Sequence, residues 1–321
     1  MRCTRAMLAA VSSLLALSTS LSSLSLAQDK LKVAVGSRGT WDPSISELAQ
    51  KHGHMARHGL DIDVLYTDGS GETMQATIAG SVDIGLAVGT FGVLSAYAKG
   101  APIRIIGSTM TGVDDQYWYA KAGSQIKAGR DLAGRTVGYS TFGASTHAVV
   151  MGFQRTFGVA LKPTVVGAPV ASMTMVLSGQ VDVGWSTVPL GLKEIDAGLI
   201  QIVARANEVP ELRNQSVRLI VSNLATLTAK RDAVVRFMRA YRETVDWLYD
   251  KPEGVKAYVA LSGVPEAHAI LVRDQFTRRD SVLPDRIDGI DPLMADAIQF
   301  KFLSRPLDAT QLAELIQVPL R

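Results

Sequence analysis

Two short stretches of this chain repeat one another 99 residues apart, and the repeat limits the folds open to it. Ile78-Ala79-Gly80-Ser81-Val82-Asp83-Ile84-Gly85 is matched by Leu177-Ser178-Gly179-Gln180-Val181-Asp182-Val183-Gly184. Each copy reads as a helix end, a glycine stop, a buried strand and a glycine exit. Solenoid units are ~20–50 residues long, so an offset of this size signals a duplicated lobe.

The flanking segments carry the same grammar. Residues 31–35, 62–66, 82–88 and 103–107 read as strands, with helices at 45–57, 72–79 and 91–98 between them. The second lobe repeats the plan with strands at 135–139, 164–166 and 181–185 and helices at 146–157 and 171–177. Short apolar strands alternating with helices imply a parallel sheet covered on both faces. The predicted class is therefore α/β, with two similar doubly wound lobes. The tail differs. Val234, Phe237, Met238, Tyr241, Val245 and Leu248 follow the spacing of one helical face, and the chain beyond reads as mainly helical.

Residues 1–27 read as an export signal. Arg2 and Arg5 precede an apolar stretch at 7–17, and Ser25-Leu26-Ala27 places small residues at a cleavage site. The single cysteine, Cys3, leaves with it. The remaining 294 residues carry a formal charge of +1 and no thiol, which excludes disulfide scaffolds, cysteine-ligated metals and thiol catalysis. Balanced charge argues against nucleic-acid binding, and a 47% hydrophobic content argues against disorder. No later segment has an apolar run long enough to span a membrane. The expected product is a soluble exported protein, not inserted in the membrane.

Motifs for nucleotide and ester chemistry are missing. There is no Gly-x-x-x-x-Gly-Lys-Ser/Thr loop and no Gly-x-Ser-x-Gly elbow, and Gly69-x-Gly71 lacks the third glycine of a dinucleotide loop. His54 and His58 have metal-like spacing, but Lys51 and Arg57 flank them, so no metal site is expected. His147 lies beside Ser145 and Thr146, where neighbouring side chains at a helix start point apart, so no catalytic pair is expected. No cofactor and no enzymatic activity are expected.

The stronger signal is a set of loops at strand ends, where open α/β sheets bind ligands. They contain Ser37, Arg38 and Trp41; Ser70 and Gly71; Gly89 and Thr90; and Thr141, Ala144, Ser145 and Thr146. Free N–H groups at helix starts hold anionic groups, glycine admits close backbone approach, and hydroxyls add donors. Trp41 and Trp185 follow strands and are candidate aromatic walls. Arg38 is a candidate bidentate partner for a carboxylate or sulfonate.

These residues resemble the type II periplasmic substrate-binding proteins of ABC importers, in particular the nitrate/sulfonate/taurine group that includes thiamine-pyrimidine binders. Leu31 to Gly36 resembles the opening strand. Gly80 to Gly85 and Gly179 to Asp182 resemble its G-x-V-D element. Asp131-Leu132-Ala133-Gly134-Arg135-Thr136-Val137-Gly138 resembles its D-L-x-G-K/R-x-V-G element, and Gly143 to His147 its second-lobe loop. Trp247 to Glu253 resembles the tail-helix break. The resemblance implies two lobes joined by a hinge crossed twice, near 111–117 and 216–221, with 30–113 as the first part of lobe one, 114–218 as lobe two and 219–321 as the return to lobe one. It also implies a periplasmic monomer that holds a ligand between lobes closing on it and delivers it to a membrane permease with its ATPase. Asp68, Glu72, Asp114 and Asp115 add negative charge near the expected cleft or hinge, which favours a larger organic acid over nitrate. Two alternatives stand beside it: a pyrimidine-precursor enzyme on the same fold, and a ligand-presenting partner of a membrane sensor.

Overall fold

The computed structural model describes residues 28–320. The expected signal at 1–27, with Cys3, lies outside the described residues. The chain runs through β1 (Asp29–Gly36), β2 (Leu60–Thr67), β3 (Ile84–Gly89) and β4 (Ile103–Thr111). It then crosses to β5 (Gln116–Lys121), β6 (Thr136–Tyr139), β7 (Lys162–Val165), β8 (Val183–Thr187) and β9 (Ile200–Arg205). A second crossing returns it to β10 (Ser216–Asn223). These strands form two five-stranded sheets, ordered β2-β1-β3-β10-β4 and β7-β6-β8-β5-β9.

The all-parallel expectation needs correction. The first three strands of each sheet are parallel, but β10 is antiparallel to β3 and β4, and β5 is antiparallel to β8 and β9. Both exceptions have one cause: each is the strand that directly follows a crossing, so it enters its sheet from the opposite end. The two sheets are thus mixed, and alike. The second crossing occupies 206–215, ahead of the expected 216–221, which is strand β10.

The sequence repeat occupies equivalent places, immediately before and into β3 and β8. Gly80 and Gly179 adopt φ of 71° and 77°, which ends the preceding helices at low steric cost. Asp83 Oδ2 accepts from the backbone N–H of Lys32 in β1 at 2.9 Å, and Asp182 Oδ2 accepts from that of Thr136 in β6 at 2.9 Å. Each aspartate therefore pins the adjacent strand in register. A Cβ on Gly85 would lie 2.4 Å from Thr77 Oγ1, and one on Gly184 would lie 2.5 Å from Ser172 Oγ. These glycines let the preceding helix settle onto its strand.

The tail helix Arg231–Asp250 buries its predicted apolar face, including Val234, Phe237, Tyr241 and Leu248. Further on, the chain reaches back across both sheets. Gln317 N–H donates to Ile105 O at 2.8 Å beside β4. The ring of Phe302 lies 5.0 Å from that of Phe91 and 4.7 Å from that of Phe142, and Arg155 Nη1 donates to Gln299 Oε1 at 2.9 Å.

The segment around Pro284 packs so closely on β4 that a Cβ on Gly107 would lie 2.3 Å from Pro284 O and 2.6 Å from Met238 Cε. Gly107→Ala is expected to lose about 1–3 kcal/mol, the usual cost of overpacking, in urea unfolding. An unchanged midpoint would show that this contact is loose.

Candidate ligand-binding cleft

Strand ends of the two sheets face one another across a cleft of about 470 Å³, counting its open mouth. Four helices begin on its wall: Trp41–Lys51, Ser70–Ile78, Ser145–Phe157 and Pro169–Leu177. Each is at least nine residues long, so each directs the positive end of its dipole at the cleft. Hydroxyls dominate the remaining surface, from Ser37, Thr40, Ser70, Ser140, Thr146 and Thr187. Trp185 forms an aromatic wall, held by its Nε1 donating to Gly167 O at 3.1 Å.

Backbone strain collects here. Ser37 and Ala87, with φ of 67° and 58°, both line the cleft. Left-handed backbone costs a non-glycine residue roughly 1–2 kcal/mol, and such outliers tend to cluster at functional sites.

The sequence candidates divide into three groups. Ser37, Ser70, Ala144, Ser145, Thr146 and Trp185 line the cleft. Gly71, Gly89, Thr90 and Thr141 stand where the sheets' loops meet. Gly71 N–H donates to Thr141 Oγ1 at 3.2 Å, and Gly92 N–H donates to Gly143 O at 3.0 Å. Gly89 N–H donates to Ser70 Oγ at 2.8 Å, and Thr90 Oγ1 donates to Ser216 O at 2.5 Å. Arg38 and Trp41 belong to neither group. Arg38 stacks on the Tyr66 ring at 4.4 Å. Trp41 is only 1% exposed, packed against the rings of Tyr258 and Tyr249 at 4.6 and 5.8 Å. Its position at the start of a helix turns the indole inward, toward the tail helices.

His147 turns away from the cleft. It stacks on Tyr139 at 4.1 Å, its Nδ1 accepts from Gly143 N–H at 3.2 Å, and burial pushes its pKa down to about 4. His54 bonds Thr244 Oγ1 at 2.8 Å, and His58 bonds Glu243 Oε2 at 2.9 Å, so both have protein partners.

Sequence reasoning missed Gln116, Thr187, Ala168 and, above all, Arg218. Arg218 sits on β10 at the cleft floor. Its Nη2 lies 2.8 Å from both oxygens of Asp115, in the first crossing, and its Nη1 lies 3.4 Å from Asp42 Oδ1. Thr187 Oγ1 donates to Asp115 Oδ2 at 2.6 Å. All four residues are buried. Burial works against the charge on Arg218, but Asp115 and Asp42 outweigh it and hold the guanidinium above its ordinary pKa. Burial pushes Asp42 up to about 6, with Arg218 opposing and Asp115 adding to the rise. The signal for Arg218 was present, as a charge inside the apolar run Val217-Arg218-Leu219-Ile220-Val221.

The sequence matches the family model described as NMT1/THI5 like over residues 46–255, well over half its length, and the chain belongs to that family. Solved structures share its fold. The alkanesulfonate-binding protein SsuA from Xanthomonas axonopodis pv. citri, bound to MOPS, aligns with TM-score 0.73 and 17% identity over 91% of this chain and 99% of that one. A Candida albicans gene product, described as exhibiting the generic periplasmic binding protein fold, aligns with TM-score 0.71 and 15% identity, covering 90% and 96%. The periplasmic nitrate-binding protein NrtA from Synechocystis PCC 6803 aligns with TM-score 0.68 and 14% identity, covering 90% and 85%. The protein thus has the periplasmic-binding-protein fold. No curated protein matches its sequence significantly.

Two outcomes follow from the floor. Arg218→Met leaves two buried carboxylates without their cation and is expected to cost about 3–5 kcal/mol in urea unfolding; a loss under 1 kcal/mol would show the pair is not structural. Asp42 titrates near 6 when folded against an ordinary value of 3.8. A raised carboxyl pKa stabilises the fold at low pH, and this contribution is lost as pH rises through 6. Relative to Asp42→Asn, the wild type should therefore lose on the order of 2 kcal/mol between pH 4.5 and 7.5. Parallel pH profiles of the two proteins would contradict the assignment.

Proposed function

We propose that this protein is an extracytoplasmic solute-binding protein that captures a small organic acid, a sulfonate or carboxylate, between its two lobes and delivers it to an ABC importer. One observation carries the ligand class. Among the described residues lining the cleft, the single charged side chain is the cation Arg218, and the rest of the polar lining is hydroxyls, helix starts and one amide. Helix dipoles add ~0.3–1 kcal/mol each toward an anion, up to ~2 when partly buried. Asp115 and Asp42 already neutralise much of Arg218, which favours a single acidic group over a dianion. An alkanesulfonate-binding protein and a nitrate-binding protein of the same fold support this reading.

With all of β10 counted in the first lobe, residues 30–113 and 216–321 make one lobe and 114–215 the other, and 1–27 direct export to the periplasm. No helix among the described residues is long and apolar enough to cross a membrane. The protein works as a monomer and partners a permease with its ATPase. It binds without turning over its ligand. A ligand touching both lobes binds the closed arrangement better than the open one, and that difference drives closure.

A thermal-shift screen of sulfonates, carboxylates and pyrimidines tests this. An acid at 100 times its Kd adds about 2.7 kcal/mol of stability. Gly89→Ala supplies the structural control. Its Cβ would lie 2.4 Å from Gly143 O and 2.5 Å from Ala144 Cα, so the added methyl would push the two loops apart. Its affinity for the acid should fall at least tenfold, and ligand-free unfolding should lose about 1–3 kcal/mol, as for Gly107→Ala. Stabilisation by pyrimidines alone, or turnover of any compound that binds, overturns the reading.

A further inference from the structure

Among the described residues lining the cleft, two buried side-chain atoms have no hydrogen-bond partner, and they come from opposite sheets. Gln116 opens β5 and is only 2% exposed. Its Nε2 donates to Ser145 Oγ at 2.8 Å, while its Oε1 has no protein partner. Arg218, on β10, spends its two terminal nitrogens on Asp115 and Asp42, while its Nε is left without one. One orphan is an acceptor and the other a donor. A buried polar atom without a partner costs free energy, and native folds retain few of them unless something else completes the bond.

We propose that Gln116 sets ligand specificity: its Oε1 accepts a hydrogen bond from a hydroxyl or amino group carried beside the ligand's acidic group, while Arg218 Nε–H donates to the acid itself. This deepens the organic-acid reading above and rests on it.

The surroundings support the division of roles. Asp115 precedes Gln116 in the chain and takes Nη2 of the guanidinium with both oxygens, and Asp42 takes Nη1, so Nε is the nitrogen left for a ligand oxygen. Ser145 Oγ fixes the other end of the Gln116 amide, which turns Oε1 into a positioned acceptor. An acid with a plain alkyl chain would seal Oε1 against carbon and leave it unpaired. An acid carrying a hydroxyl or amino group would satisfy it. The same ligand would also join the two sheets, because Gln116 and Arg218 stand on different ones.

Calorimetric titration with matched pairs tests this: 2-hydroxyethanesulfonate against ethanesulfonate, and lactate against propionate. The wild type should bind the hydroxy member of a pair roughly tenfold more tightly. Gln116→Met, similar in size but without the acceptor, should bind both members equally. Gln116→Glu keeps an acceptor and adds a charge, so it should bind both more weakly and keep the preference. If the methionine variant does not melt cooperatively, the wild-type ratio and the glutamate variant decide the matter. Equal binding of both members by the wild type, or a preference that survives in Gln116→Met, overturns the role of Gln116 and leaves the organic-acid reading standing. If no acid of either pair binds, that reading falls and this inference falls with it.

Discussion

The buried pairing of Arg218 with Asp115 is the contact on which the rest of the arrangement depends. It ties β10, a strand of the first sheet, to the first crossing, and through Thr187 to β8 of the second sheet. Asp42 brings in the helix that begins at Trp41. Four elements from both halves of the molecule thus converge under the cleft floor. A buried ion pair of this kind is weak evidence of net stability, because desolvation offsets much of the attraction. Its clearer consequence is placement: it fixes where the cleft's one cation lies and how little of its charge is uncommitted.

Under the proposed function, that placement governs selectivity. With a formal charge of +1 on the chain after residue 27, no global field draws anions in, so discrimination falls to local groups. The cleft offers them as hydroxyls and helix starts from both sheets around a largely neutralised guanidinium. Such a site rewards shape and hydrogen-bond pattern over total charge. The close glycine contacts beside it, Gly71 with Thr141 and Gly92 with Gly143, bring the loops near enough for one small molecule to reach both sides.

Much of this was legible in the sequence, and what was not has physical causes. The repeat around Asp83 and Asp182 was readable because glycine stops, a pinning aspartate and a buried strand must recur wherever a helix settles on its sheet. The first three strands of each sheet were readable as short apolar runs between glycines. The strands β5, β9 and β10 were not. They follow crossings or close a sheet edge, and their sequences mix polar and apolar residues, as in Gln116-Tyr117-Trp118-Tyr119. Missing β5 and β10 meant missing Gln116 and Arg218. The loops supplying Ser37, Ser70, Ser145 and Thr146 were legible from helix-start chemistry. Trp41 was misplaced because its partners, Tyr249 and Tyr258, lie some 200 residues away in sequence, and local pattern carries no trace of them.

The central claim is that the cleft holds a small organic acid, reversibly and without chemistry. Native mass spectrometry of the protein taken from its own host tests it most directly. The expected result is one small acid per protein molecule, released intact when the protein unfolds. A retained cation, or an adduct that survives unfolding, would contradict the account.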